Sequence, residues 1–95
     1  MKLGYYYKTA AERKRYSIDY YDWLDSGETL ASMVFTVAPA SELDIDAYSI
    51  ASDGASVVFF ANAGTDGVVY TVNVKATTSG GQIKEDEVTI EVKDL

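Results

Sequence analysis

The sequence predicts an all-β fold, an antiparallel β-sandwich of about seven strands, and three observations carry that prediction. Short segments alternate apolar and polar residues with a period of two. The most regular follows Gly67: Val68, Tyr70, Val72, Val74 and Ala76 take one face, and Val69, Thr71, Asn73, Lys75 and Thr77 the other. That period belongs to strands, where successive Cβ atoms point to opposite faces. Turn residues cluster between the segments at even spacing, and no convincing long helical pattern interrupts them.

Taken in order, residues 1–15 show neither clean period and are expected to form an extended N-terminal arm, with 16–95 as the folded domain. Thr9 to Arg15 offers one or two helical turns, with Thr9 as a cap and Glu12 three residues on. Ser17 to Tyr20 is a short strand. Tyr21 to Gly27 is a turn that plants Trp23 and Leu24 on the core, since Asp25 and Ser26 can bond their own backbone and Gly27 tolerates positive φ. Glu28 to Val37 is a strand with Met33, Phe35 and Val37 on one face, and the phase slip between Leu30 and Met33 points to a bulge. Pro39, lacking an N–H, ends it.

Leu43, Ile45 and Ala47 alternate with Asp44, Asp46 and Tyr48 in a strand with an acidic outer face. Ser52-Asp53-Gly54 turns the chain into Val57-Val58-Phe59-Phe60, which is apolar on both faces, so alternation leaves open which side is inward. Asn62 to Gly67 turns again, and after Ser79-Gly80-Gly81 the last strand sets Val88, Ile90 and Val92 inward. The expected core is Trp23, Leu24, Phe35, Phe59, Tyr70, Val72, Val74, Val88 and Ile90. Consecutive order favours antiparallel pairing.

At 95 residues the chain has room for one two-layer core. It holds no cysteine, so there is neither a disulfide nor a thiolate metal site, and apolar burial must supply nearly all the stability. No apolar run approaches the roughly 20 residues that span a bilayer, and Met1-Lys2-Leu3-Gly4 leads into no apolar signal core. The expectation is a soluble protein made and kept in the producing cell.

Charge is unevenly divided. Residues 1–15 carry five cations against Glu12, a net +4, and the remainder carries −11. An acidic body repels phosphates and acidic membrane surfaces, so neither nucleic acid nor membrane is the expected partner. The basic arm, with Tyr5, Tyr6 and Tyr7, suits an acidic protein surface, including a neighbouring copy. Tyr5, Tyr6, Tyr7, Arg13 and Arg15 are therefore the expected interface residues.

Chemistry is scarce. Without histidine or cysteine, the commonest bases, nucleophiles and metal ligands are missing, so an enzyme and a cofactor are not expected. Asp19, Asp22, Asp25 and Glu28 are spaced by three but lack the EF-hand pattern, and a solvated turn outweighs a calcium site. Asp44, Asp46 and Asp53 make an acidic strand face that discourages edge pairing. Gly64 to Gly67 and Gly80-Gly81 lack the lysine and helix of a phosphate loop and are turns.

Tyr70, three residues after Gly67 near the start of a late, long strand, stands where immunoglobulin-like sandwiches place a tyrosine that bonds back to the preceding loop. This makes the expected sandwich immunoglobulin-like, without the inter-sheet cysteines. Two segments sharpen the reading: Tyr16-Ser17-Ile18-Asp19-Tyr20-Tyr21-Asp22-Trp23-Leu24, and Gly27-Glu28-Thr29-Leu30-Ala31-Ser32. With Gly67 to Val72 and Thr77 to Gly81, they resemble the fibre-to-tail adaptor proteins of tailed bacteriophages over residues 12 to about 92. Tyr20 departs from the tryptophan often found there, and residues 1–11 carry no part of the resemblance.

The resemblance implies a non-catalytic virion component, made in the host cytoplasm, that joins the neck or tail ring to a fibre or spike. Its partners would be other virion proteins and neighbouring copies. The alternative is a capsid decoration or cell-surface glycan-binding domain, with Tyr48, Trp23 or the tyrosine arm stacking on sugars.

Overall fold

In the computed structural model, which describes residues 2–94, the chain forms seven strands: β1 (Lys2–Lys8), β2 (Arg13–Asp19), β3 (Leu30–Ala38), β4 (Leu43–Ile50), β5 (Ser56–Ala63), β6 (Val69–Thr78) and β7 (Ile83–Val92). They make a four-stranded sheet in the order β1-β7-β6-β3 and a three-stranded sheet in the order β2-β5-β4. Each sheet has one apolar face, and the two bury those faces together as a sandwich. Strand β6 follows its alternation residue by residue: Tyr70, Val72, Val74 and Ala76 are buried, and Val69 and Lys75 are exposed.

One cluster drawn from both sheets forms the core. Ile18, Val57, Phe59 and Ala61 meet Tyr70, Val72, Val74, Val88, Ile90 and Val92. The doubly apolar β5 resolves with Val57 and Phe59 inward and Val58 and Phe60 half-buried outside. The Phe59 ring lies 4.8 Å from that of Phe35 and 5.7 Å from that of Tyr16, centroid to centroid. Deleting a ring so enclosed costs about 3–5 kcal/mol.

Trp23, Leu24 and Phe35 pack against this cluster half-buried, and Tyr20, only 2% exposed, sits inside it. Parity explains the exchange. Ile18 and Tyr20 share the inward phase of the chain leaving β2. The Trp23 and Leu24 amides then both donate to the Tyr20 carbonyl at 3.0 Å, a turn that carries their side chains to the rim.

Besides a shift between Lys2 and Gly4 in β1, two bulges adjust the register. One lies between Leu30 and Ser32, where the phase slip pointed, and β3 ends at Ala38 just before Pro39. The other lies between Asp46 and Ser49 and holds Ala47 at φ 51°. Ala47, expected inward, is therefore exposed.

The N-terminal segment corrects the sequence reading. Residues 2–15 are not an arm outside the sandwich: β1 lies parallel to β7, β2 lies antiparallel to β5, and the expected boundary after residue 15 falls inside β2. Met1 and Leu95, the outer limits of the expected arm and domain, lie outside the described residues. Parallel pairing of the first and last strands also departs from the antiparallel order inferred from the short connections, because β1 has no hairpin partner and takes the open edge of β7. Lys8 shows how the strand is held. It is 2% exposed, and its ammonium donates to the carbonyls of Thr9, at 2.7 Å, and Ala63. The helical turn foreseen over Thr9 to Arg15 is a tight crossing instead. There the Thr9 amide donates to Glu12 Oε1 at 2.7 Å before β2 begins at Arg13.

Candidate functional site

Strands β1 and β2 are the neighbouring edges of the two sheets, so the residues expected to make contacts gather along one side of the sandwich. The pairing of β1 with β7 sorts the tyrosines. Gly4, Tyr6 and Lys8 stand opposite Val88, Ile90 and Val92 of the core, while Tyr5 and Tyr7 stand opposite Thr89 and Glu91, which have the other parity. Tyr5 and Tyr7 therefore share the outer face, 43% and 66% exposed, with ring centroids 5.4 Å apart. Tyr6, on the other face and still 41% exposed, meets the Tyr16 ring at 5.1 Å. It can do so because residue 4 is glycine: a Cβ there would stand 2.6 Å from the Tyr6 hydroxyl oxygen.

The outer pair is held in place. The Tyr5 hydroxyl donates to Glu91 Oε1 at 2.6 Å, and that bond to an anion is the first cause of a phenol pKa pushed up to about 12. Lys2 Nζ lies 5.1 Å from the Tyr5 ring centroid. Tyr7 remains the most exposed aromatic of the edge.

The two arginines differ. Arg13 lies with its guanidinium carbon 3.9 Å from the Phe60 ring centroid and its Nη2 3.3 Å from Asp46 Oδ1, so it covers the outer apolar face of β5. Arg15, on the same face of β2, is exposed beside Lys14. Of the five expected interface residues, Tyr7 and Arg15 are exposed at the surface, Tyr5 presents its ring with its hydroxyl bonded to Glu91, Tyr6 lines the seam between sheets while staying 41% exposed, and Arg13 is occupied within its own sheet.

The acidic clusters are largely engaged inside the fold. Glu28 accepts from Thr78 Oγ1 at 2.6 Å, which is the first cause of its lowered pKa, and Gln82 Nε2 bridges it to Asp25. Asp53 accepts from the Tyr21 hydroxyl and from the Ala55 amide at 3.0 Å. Among the described residues, no group of three or more carboxylates gathers to hold a metal.

The seam between β1 and β2 was not singled out by sequence reasoning. Leu3, Tyr6, Tyr16, Ile18 and Tyr20 line it, and the hydroxyls of Tyr16 and Tyr20 are buried without a hydrogen-bond partner. Burial is the first cause of phenol pKa values pushed up to about 12 in both. The inward phase of Tyr16, Ile18 and Tyr20 is readable in the sequence; the sheet edge facing them is not.

A family model described as podophage GP4 fiber-tail adaptor protein gp77 matches residues 8–91, which runs from the last residue of β1 to Glu91 in β7 and leaves Tyr5, Tyr6 and Tyr7 outside. No curated protein matches the chain.

Proposed function

The chain belongs to the podophage GP4 fiber-tail adaptor protein gp77 family, and from that premise we propose that it is a non-catalytic, immunoglobulin-like adaptor that joins the neck or tail ring of the virion to a fibre or spike. The sheet orders β1-β7-β6-β3 and β2-β5-β4 support the immunoglobulin-like reading, as does the bond from the Thr65 amide to the Tyr70 hydroxyl at 2.9 Å.

The observation that carries the interface is the exposed pair Tyr5 and Tyr7 on an edge strand. Tyrosine rings give large contact area at small entropic cost and recur as binding anchors. Arg15 adds a cation on the other face of the same side. The rings are tilted by 54°, so they form no flat platform for a sugar, which favours a protein partner over a glycan.

The test is a Tyr5→Ser/Tyr7→Ser variant supplied to a phage lacking its own copy. The variant gives up the bond from Tyr5 to Glu91, about 1–2 kcal/mol, and leaves the core intact, so folding of the purified protein is checked by thermal unfolding before assembly is scored. The reading expects particles without the adaptor or its fibre. Particles with the normal complement of both would refute this interface.

A further inference from the structure

We infer that the seam between β1 and β2 is a socket for a lysine or arginine side chain carried on an extended segment of a partner protein. This deepens the adaptor reading and rests on it only for the partner's being another virion component. The seam holds two cavities, of about 190 and 340 Å³, which share Leu3, Ile18 and Asp19 and so form one groove. A single water takes about 30 Å³, so the groove has room for a long side chain.

Charge selects the occupant. The larger cavity is lined by Asp19, Asp22 and Asp86 against Lys84 as the one cation among its described lining residues. Lys84 shows that the groove suits an ammonium: its Nζ lies 3.2 Å from Asp86 Oδ1 and 5.8 Å from the Trp23 ring centroid. Carboxylate plus indole face is a favourable setting for a cation. Asp19 Oδ1 accepts from the Tyr21 amide at 2.8 Å, which leaves Oδ2 for a ligand, and Asp22 is exposed at the mouth.

Leu3, Ile18 and Trp23 form apolar walls for the methylene stem, which lysine and arginine bury while keeping their charged head near polar groups. Tyr20, 2% exposed and lining the same cavity, has a hydroxyl with no hydrogen-bond partner. A buried hydroxyl left so is unusual and gives an incoming N–H an acceptor. A purely aliphatic side chain would leave these polar groups unmet, and an acidic one would be repelled by the carboxylates of Asp19 and Asp22.

Trp23 is the sole tryptophan and reports on the groove directly. The whole protein is titrated with Ac-Val-Lys-Val-NH2, and with versions carrying norleucine or glutamate at the centre, following Trp23 fluorescence and amide NMR shifts. The expected result is saturable binding of the lysine peptide, with shifts at Ile18, Asp22, Trp23 and Lys84. The norleucine peptide should bind about tenfold more weakly, and the glutamate peptide not at all. The exposed substitution Asp22→Asn should weaken the lysine peptide several-fold without altering the fold, and Lys75→Gln, away from the groove, should change nothing.

Equal binding of lysine and norleucine peptides would overturn the inference, as would no saturation up to roughly 10 mM or shifts centred on another acidic surface. Self-association of the protein abolished by Asp22→Asn would assign the groove to a second copy and overturn it equally. Because the peptides do not touch Tyr5 or Tyr7, this test can fail while the assembly test succeeds.

Discussion

The hydroxyl oxygen of Tyr70 accepts the amide N–H of Thr65 at 2.9 Å, so the buried tyrosine of β6 holds the loop that leads into its own strand. Ser41 Oγ lies 3.2 Å from the same oxygen, which brings the β3–β4 connection into the arrangement. One hydroxyl therefore organises two loops at one end of the sandwich.

Replacing Tyr70 by phenylalanine keeps the ring in the core and removes only those bonds. The expected cost is about 1–2 kcal/mol, seen as a lower urea midpoint with an unchanged denaturant slope. An unchanged midpoint would mean that the loops are held without the hydroxyl.

Gly64 and Gly67 separate two reasons for glycine. Both have positive φ, 103° and 88°, but a Cβ on Gly64 would stand 2.6 Å from Val92 Cγ2, while one on Gly67 meets nothing within 4 Å. Gly67→Ala should cost only the left-handed backbone penalty, about 1–2 kcal/mol. Gly64→Ala adds a clash with a buried strand, about 1–3 kcal/mol more. Thermal unfolding of the two variants side by side gives the comparison, and equal losses would count against the close approach.

Alkaline titration should weaken the fold in a defined window. Burial pushes the phenols of Tyr16 and Tyr20 up to about 12, and the charge of Asp86 adds to the effect at Tyr20. In the unfolded chain these groups titrate near 10. Their contribution is complete below pH 10 and is lost as the pH climbs to 12, because the unfolded state releases its protons first. Lys8 acts oppositely: burial lowers its pKa, so its contribution rises with pH only until an unfolded lysine titrates near 10.5. Urea midpoints measured from pH 9 to 12 should fall above about 10.5, and fall less steeply in Tyr20→Phe. Equal slopes for the two proteins would show that the Tyr20 hydroxyl titrates alike in both states.

Truncation of residues 1–8 should destabilise the sandwich rather than free it from an arm. The cut removes β1, strips one edge of β7 of its partner and deletes the buried Lys8. A loss of more than about 2 kcal/mol is expected, read by denaturant unfolding. A truncated protein as stable as the full chain would show that β1 contributes nothing to folding.

Legibility varied along the chain for physical reasons. In β6, Tyr70 to Ala76 could be assigned to the core because one face is apolar and the other polar. In β5, Val57 to Phe60 left the inward face open, since both parities are apolar and only the opposing sheet selects Val57 and Phe59. Tyr20 and Trp23 exchanged places because a turn of two hydrogen bonds, not the composition of the segment, decides which ring reaches the core. Tyr5, Tyr6 and Tyr7 are indistinguishable as a run, yet two face outward and one lines a groove.

Local pattern was enough for strands β3 to β7, the turns between them, the bulge after Leu30 and the role of Tyr70, because these depend on residues close together in the chain and on a period of two that any half-buried strand must show. The parallel seat of β1 on β7, the burial of Lys8 and the groove that opens beside Trp23 with acidic residues at its mouth came from long-range packing. Those outcomes join residues such as Tyr5 and Glu91, which no local pattern relates. They follow from an open sheet edge finding its partner, a choice made by the whole fold.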